Sequence, residues 1–507
     1  MGGSSPMSGP GRLRWSFADQ LGPHFIDVDP AGQDQRVLLI ESRAAVGRRR
    51  YHRQKAHIVL SALRHRASEL GDRARYIATT TYRSALREVD APLSVVDPTS
   101  WAARAFVRSV AEEREVDIVP SRGFVTSEED FARWADGRRH LRQEDFYREA
   151  RRRTGILMEG SEPVGGRWNY DADNRLPPPK GAKTLGLPEP VWPVEDDIDA
   201  GVREDLDRWQ REGMTFVGAD GPRRFAVTRA EALAVLEDFI AHRLGDFGPY
   251  EDAALVADWP MAHSLLSVPL NLGLLDPREV IDRVVAAWHE GAVPLASAEG
   301  FVRQVMGWRD YVWHLYWHFG PTYVDESNSL DAHTPLPDWF SELRPDDVRA
   351  RCLHVALSEV RDRGWNHHII RLMVLGNWAL QHGYSPVEVT DWYTASYVDA
   401  YPWVMAANVV GMALHADGGR MATKPYAAGG AYIKRMTDFC GGCDYRPDVR
   451  VGERACPVTA GYWAFIHRHH ESFSRHPRMA QAARGLERLA DRDDLIAQEA
   501  LRGSDPP

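Results

Sequence analysis

The sequence contains no uninterrupted apolar run that is long enough to cross a membrane. It has only four cysteines in 507 residues, which argues against a disulfide framework and favours a reducing, cytoplasmic location. Residues 1–11 lack the apolar centre of a signal peptide and are predicted to be a flexible tail. The net charge of −10 gives no general attraction to nucleic acid, so any DNA binding must use a local basic surface.

The first part of the chain, residues 12–140, alternates strand and helix patterns. The clearest helix pattern extends from Tyr51 to Leu70. Such alternation predicts an α/β domain in which helices cover a parallel sheet. The β-type runs are Leu13–Phe17, Arg36–Ile40, Ala74–Ala78, Leu93–Val96 and Val116–Val119.

Two acidic side chains stand where ligands usually bind in a sheet of this kind, at the carboxyl ends of its strands. They are Asp19, after the first strand, and Glu41, after the second. No G-x-G-x-x-G motif follows the first strand, so a dinucleotide fingerprint is missing. From the residues alone, the alternative that both are ordinary loop acids stays open.

The remaining chain divides into an irregular segment and a helical region. Residues 141–225 are predicted to be an interdomain linker, because glycines 165–166 and prolines 177–179 interrupt any regular pattern. Over residues 226–507 strand patterns are scarce and helix starts recur, such as the capping box of Thr228 and Glu231. We therefore expect an all-α domain of about a dozen helices.

The four cysteines form a pattern that suits a metal centre. Cys440 and Cys443 make a C-x-x-C motif whose glycines allow a tight turn, with Cys456 further on and Cys352 far upstream. Four thiolates would bind tetrahedral zinc or an iron–sulfur cluster. A second close pair, typical of a zinc ribbon, is absent from the sequence, which favours the cluster. Zinc and four unrelated cysteines remain as alternatives.

Candidate chemistry in the helical region centres on the adjacent histidines His367 and His368. Arg371 follows one turn later, and with Asp399 it could hold a heterocycle by paired hydrogen bonds. Hydroxyls around Ser264, ahead of a helix start, suit a phosphate. The competing interpretations are a core histidine, a surface ion pair and an ordinary helix cap.

Several longer motifs occur in one order along nearly the whole chain. They are Asp19-Gln20-Leu21, Gly307-Trp308-Arg309-Asp310-Tyr311, Trp365-Asn366-His367-His368-Ile369-Ile370-Arg371, Asp399-Ala400-Tyr401, Lys424-Pro425-Tyr426-Ala427-Ala428-Gly429-Gly430 and Cys440-Gly441-Gly442-Cys443. Together they resemble the bacterial iron–sulfur photolyase and cryptochrome family, also called prokaryotic (6-4) photolyases or photolyase-related proteins. A convergent protein would not share the cysteine spacing, the histidine pair and these loops in the same order.

The resemblance implies a photolyase/cryptochrome fold, in which a Rossmann-like α/β antenna domain joins an all-α FAD-binding domain. It implies a [4Fe–4S] cluster on Cys352, Cys440, Cys443 and Cys456, and a 6,7-dimethyl-8-ribityllumazine antenna at Glu41. The implied FAD contacts are Tyr250, Ser264, Leu266, Ser267, Gln304, Arg371 and Asp399. The implied lesion-facing groups are His367, His368 and Tyr426, and the implied electron-relay aromatics are Trp392 and Tyr393.

The chain departs from the family pattern at two positions. Met405 stands where other photolyases place Asn, and this family often an acid, against the flavin N5 position. A thioether cannot donate a strong hydrogen bond, so it would not support the one-electron-reduced flavin as those residues do. The family's tryptophan shortly before the first cluster cysteine is also missing or displaced, because Trp339 is followed by Phe340 and then by no aromatic residue up to Arg344.

The function implied by the resemblance is light-driven DNA repair by a (6-4) DNA photolyase, a lyase acting as a monomer on UV-damaged DNA. Reduced FAD would pass an electron to a (6-4) photoproduct flipped out of the duplex, and His368 would donate a proton. One alternative is a blue-light cryptochrome without repair activity. Another is a DNA-binding iron–sulfur module of primase type, which leaves the histidines and the first domain unexplained.

Overall fold

The structure is a computed structural model that describes residues 12–27 and 34–507. The predicted tail, residues 1–11, lies outside these ranges. Within them, every helix is too short or too polar to span a membrane.

The first domain is built on a five-stranded sheet, as the sequence predicts. Its order is β3–β2–β1–β4–β5, and every neighbouring pair is parallel. The chain crosses from one side of β1 to the other after β3, so a crevice for ligands is expected at the carboxyl ends of the central strands. The strands are β1 (Leu13–Ser16), β2 (Val37–Ser42), β3 (Ala74–Thr79), β4 (Leu93–Val96) and β5 (Val116–Val119).

Helices flank this sheet and continue into the predicted linker. They are α1 (Arg43–Val46), α2 (Arg53–Leu70), α3 (Tyr82–Arg87), α4 (Trp101–Ala111), α5 (Glu128–Ala135), α6 (Gln143–Thr154) and α7 (Asp197–Arg211). The predicted linker, residues 141–225, is thus partly helical, because α6 and α7 lie within it. Between them are a small hairpin, β6 (Met158–Glu159) and β7 (Glu162–Pro163), and a long irregular stretch. The predicted domain boundaries themselves stay predictions.

The region after residue 226 is helical, as expected, and contains more segments than the predicted dozen. They are α8 (Arg229–His242), α9 (Leu244–Tyr250), α10 (Ser267–Asn271), α11 (Pro277–His289), α12 (Leu295–Val302), α13 (Asp310–Phe319), α14 (Tyr323–Glu326), α15 (Asp338–Ser341), α16 (Arg351–Arg363), α17 (His368–Ile370), α18 (Asn377–His382), α19 (Pro386–Ser396), α20 (Pro402–Met405), α21 (Gly430–Met436), α22 (Pro457–Arg468), α23 (His470–Arg475), α24 (Ala480–Glu487) and α25 (Arg492–Arg502). The predicted capping box of Thr228 and Glu231 begins α8.

The extra segments arise partly because π-helical turns divide longer helices. Arg303–Arg309 joins α12 to α13, Arg371–Gly376 joins α17 to α18, and Ala406–Ala413 continues α20. A π-helical turn inserts a residue into the α-helical hydrogen-bond ladder and is frequent at functional sites. Sequence periodicity does not reveal such turns, because the apolar pattern continues across them.

Candidate active site

All three π-helical segments contribute to the wall of one deep cavity in the helical region, with a volume of about 550 Å³. This size is within the range of small-molecule and cofactor sites, which are mostly apolar with a few convergent polar groups. Phe301, Val305, Trp308 and Leu372 supply part of the apolar wall. The cavity is therefore the candidate site for a large ligand.

Arg371 and Asp399 form a buried ion pair on the cavity wall. The two terminal nitrogens of Arg371 donate to the two carboxylate oxygens of Asp399 at 2.8 and 2.9 Å, and Nε donates to the carbonyl of Asn366 at 2.6 Å. Burial disfavours the charge of Asp399, but the guanidinium of Arg371 more than compensates and lowers the pKa of the carboxyl group. The sequence prediction that these residues pair is confirmed, and the pair presents fixed donors and acceptors to the cavity.

His367 is a buried imidazole that faces the cavity. Neither of its ring nitrogens has a hydrogen-bond partner among the described residues, and its ring stacks on that of His263 with centroids 4.4 Å apart. Burial, reinforced by the neighbouring histidines and Arg371, lowers the pKa of His367 well below the ordinary value. Burial and His368 likewise lower the pKa of His263 to about 3. Both rings are thus neutral near pH 7, and a ligand would supply the missing partners.

His368 differs from its neighbour because it is half exposed and has a carboxylate partner. Its Nε2 lies 3.1 Å from Oδ1 of Asp252, and the side chain is 49% exposed. Burial raises the pKa of Asp252, but the hydrogen bond and charge of His368 outweigh burial and lower it. Tyr426, 38% exposed, also lines the cavity. The mouth of the cavity therefore carries an imidazole–carboxylate pair beside an aromatic ring.

Most residues predicted for the site line this one cavity. They are Ser264, Leu266, Ser267, Gln304, His367, His368, Arg371, Tyr393, Asp399, Met405 and Tyr426. Tyr250, at the end of α9, and Trp392 are not among the lining residues, and their roles stay predictions. Asp252, Arg175 and Asn408 line the cavity without having been predicted. They come from separate segments with no local motif, so the sequence carried no signal for them.

Met405 is 4% exposed and lines the cavity, so its thioether lies on the cavity wall. The nearest amide in sequence that reaches the cavity is Asn408, one turn later. Its side chain donates to the carbonyl of Val404 at 2.9 Å, so one of its hydrogens is already engaged.

Aromatic rings lead from the cavity toward α15. Tyr393 contacts Trp392 with centroids 5.0 Å apart, and Trp392 contacts Phe340 at 4.7 Å. Trp339 follows at 5.6 Å from Phe340. A phenylalanine thus lies between Trp392 and Trp339. The relay role of Trp392 and Tyr393 stays a prediction.

The four cysteines converge although the sequence separates them widely. Cys352, Cys440, Cys443 and Cys456 all line one small pocket, and all four are free thiols. Gly430 belongs to the same pocket, where an added Cβ would lie 2.8 Å from Sγ of Cys456. Burial, followed by the neighbouring thiols, raises the pKa of Cys352. Four cysteines that line one space, closed by a glycine, are a donor set that suits a cluster held by thiolates.

Glu41 lies at the carboxyl end of β2, as predicted, but its carboxylate is already engaged. Arg64 of α2 donates to both oxygens at 2.9 and 2.8 Å, and the hydroxyl of Tyr76 donates to Oε2. Glu41 is 3% exposed. A carboxylate has about four acceptor sites, so these three hydrogen bonds leave capacity for another donor, and the lumazine contact of Glu41 stays a prediction.

The combination of a five-stranded parallel sheet, a helical region and one deep cavity defines the photolyase/cryptochrome fold. A bacterial class III photolyase from Agrobacterium tumefaciens has a TM-score of 0.56 at 17% identity, covering 85% of this chain and 88% of that one. A cryptochrome from Synechocystis sp. PCC6803 has a TM-score of 0.51 at 15% identity, covering 80% and 83%. At these identities the likeness shows the fold alone.

Sequence comparison assigns the family. Residues 14–215 match the family described as deoxyribodipyrimidine photo-lyase-related protein. A protein of Agrobacterium fabrum named (6-4) photolyase is 39% identical over 505 residues, or 96% of this chain and 97% of the relative. The chain belongs to the deoxyribodipyrimidine photo-lyase-related family and is an enzyme of the photolyase class. The resemblance and the fold inferred from the motifs are confirmed.

Proposed function

We propose that this photolyase repairs the (6-4) photoproduct in UV-damaged DNA. The observation that carries the proposal is the shared cavity, whose buried wall holds the Arg371–Asp399 pair and His367 and whose mouth holds His368 and Tyr426. A cofactor site and a substrate site with acid–base groups therefore lie in direct contact. The Agrobacterium relative named (6-4) photolyase supports the same lesion for this chain.

The cavity residues fit the flavin that the family implies. The Arg371–Asp399 pair would hold the polar edge of the ring, and Ser264, Ser267 and Gln304 would contact other parts of the cofactor. On illumination, bound FAD would supply the single electron that the repair needs. Both ring nitrogens of His367 and Nε2 of His263 have no hydrogen-bond partner among the described residues, and a group that enters the cavity could supply one.

The protein's chemical contribution is proton transfer at the lesion. The lesion's hydroxyl must leave one base and return to the other, so a proton donor is required there. His368 is the cavity histidine whose Nε2 lies 3.1 Å from a carboxylate oxygen, Oδ1 of Asp252, and this contact orients its ring. Neutral His367 can accept a hydrogen bond from the flipped base or donate one to it, but it lacks the additional proton of an imidazolium donor. General-acid help of this kind is worth about 10²–10⁴-fold in rate.

We also propose that the cysteines hold a [4Fe–4S] cluster with a structural role. Cys352 lies in the first turn of α16, and the other end of α16 leads through Gly364 to Trp365 and the histidine pair. A cluster that fixes the start of this 13-residue helix would fix the approach to His367. Iron and sulfide analysis should give about four of each per chain, and one zinc without sulfide would contradict the cluster.

The test of the main proposal is illumination of the flavin-loaded protein with DNA that contains either a (6-4) photoproduct or a cyclobutane dimer. We expect chromatography to show restored bases only for the (6-4) substrate. Photoreduction of the flavin without repair of either substrate would favour the cryptochrome alternative. Repair of the cyclobutane dimer alone would contradict the role given to His368.

A further inference from the structure

Lys55 is a buried cation of the α/β domain whose ammonium contacts the helical region. It lies in α2, beside the sheet, and is 7% exposed. Its ammonium donates to the carbonyl of Thr394 at 2.7 Å and to the carbonyl of Ala400 at 2.6 Å. The rings of Tyr51 and Tyr401 lie 5.2 and 5.8 Å from Nζ. Such contacts are strong for a buried ammonium because both acceptors are held at short distance.

The two carbonyls belong to the backbone on either side of Asp399. Thr394 is in the last turn of α19, where helix carbonyls lack intrahelical partners and favour a cation. Ala400 directly follows Asp399. On the other side, the amide of Asn271 donates to the carbonyl of Asp399 at 2.8 Å. The loop that presents the Asp399 carboxylate is therefore held by Lys55 from one domain and by Asn271 from the other.

The position of α2 does not depend on Lys55 alone. The backbone nitrogen of His52 donates to the carbonyl of Ala395 at 2.9 Å, and its Nε2 lies 3.0 Å from the carbonyl of Arg361. The amide of Gln54 donates to the carbonyl of Asp362 at 2.6 Å. These contacts dock the start of α2 on the helical region. Loss of the ammonium would therefore loosen the loop at Asp399 while the domain contact persists.

One carboxylate and two guanidinium groups lie close enough to Lys55 to affect its charge. Burial lowers the pKa of Lys55 to about 7, while Asp399 acts to raise it and Arg49 and Arg48 act to lower it. Asp399 is itself committed to Arg371 through both carboxylate oxygens. Lys55 therefore acts on the backbone around Asp399 and leaves the ion pair intact.

We propose that Lys55 is a positioning residue of the flavin site. Its ammonium, supplied by the α/β domain, fixes the loop of Asp399 and the end of α19, the helix that carries Trp392 and Tyr393. The inference rests on the placement of flavin against Arg371 and Asp399 but is independent of which lesion is repaired. It makes the α/β domain part of the cofactor site.

The test compares Lys55→Met, which keeps an unbranched side chain one heavy atom shorter and removes the charge, with Arg243→Met. Arg243 is likewise buried, at 2% exposure, and joins two segments, through Asp238 and the carbonyl of Pro188, but it does not line the cavity. Both variants lose a buried cation, so they should lose comparable thermal stability. The measurements are flavin affinity in the cofactor-depleted full chain and hydrogen exchange across residues 397–401.

For Lys55→Met we expect flavin binding weakened by about tenfold to a hundredfold, with faster exchange in residues 397–401 and unchanged exchange in α2. Arg243→Met should keep wild-type flavin affinity and loop protection. Wild-type affinity and loop protection in Lys55→Met would overturn the proposal, as would equal losses in both variants. If Lys55→Met does not fold, Lys55→Gln, which keeps one donor group, should show the same changes to a smaller extent. No lesion DNA enters these measurements, so failure of the repair proposal would be seen separately.

Discussion

Replacing Asp252 by Asn tests whether this carboxylate orients the proton donor. Nε2 of His368 lies 3.1 Å from Oδ1 of Asp252, and the Asp252 side chain is 17% exposed. Hydrogen bonds to a charged group are worth about 1.5–3 kcal/mol, and the partial exposure of His368 reduces this value. Loss of the carboxylate should therefore cost about 1 kcal/mol, or about fivefold in rate. The amide retains the shape and a possible hydrogen bond, so the change is mainly one of charge.

The expected result is slower repair at an unchanged flavin content. Asp252→Asn should repair a (6-4) substrate about fivefold more slowly, because the ring of His368 is held less firmly at the lesion. The assay is single-turnover repair by chromatography at constant pH and ionic strength. Glu487→Gln is the control, since it removes the carboxylate 3.0 Å from His470 on the surface. A repair rate for Asp252→Asn equal to that of the wild type would refute the reasoning.

Four further outcomes follow from the structure. Cys352→Ser should lose iron, sulfide and soluble protein together, because the ligands join remote segments; full iron content in this variant would contradict the cluster. Arg371→Ala should lose flavin, since it leaves the buried Asp399 carboxylate unpaired at a cost of about 3–5 kcal/mol; an unchanged flavin spectrum would mean that the ring is elsewhere. Reconstitution with 6,7-dimethyl-8-ribityllumazine should give a second chromophore that Glu41→Gln fails to retain, and the antenna prediction is wrong if the wild type binds none. His382 is partly exposed, and desolvation lowers its pKa to about 4, so the unfolded chain binds its proton first and stability should fall as the pH drops from about 6.5 toward 4; the slope of melting temperature against pH should be smaller in His382→Gln.

The strands and the main helices could be predicted because their signals are local. The five predicted strands agree with the observed ones to within two residues at each end, since each is a short apolar run bounded by polar turns. The helix start at Thr228 is likewise read from adjacent residues. The division of the long helices by π-helical turns could not be predicted, because the segments are apolar over most of their length and a shift of the buried face by one residue leaves no visible break in the pattern.

The candidate site was predictable only as far as its residues belong to recognisable motifs. The cysteines, the histidine pair, Arg371 and Asp399 are in such motifs, and the structure brings them to two pockets. The sequence shows that Phe340 follows Trp339, but only the tertiary structure shows that Phe340 contacts Trp392.

The sequence by itself determined the main helices and strands, the presence of metal-binding side chains and the family, because these depend on residue identity and spacing along the chain. Only the tertiary structure decided which charges neutralise one another. It pairs Asp252 with His368, binds Glu41 to Arg64, and brings Lys55 of the α/β domain to the loop of Asp399. These partners are more than 20 residues apart in each case. Their electrostatic effects depend on burial and on separations of a few ångströms, which spacing along the chain does not specify.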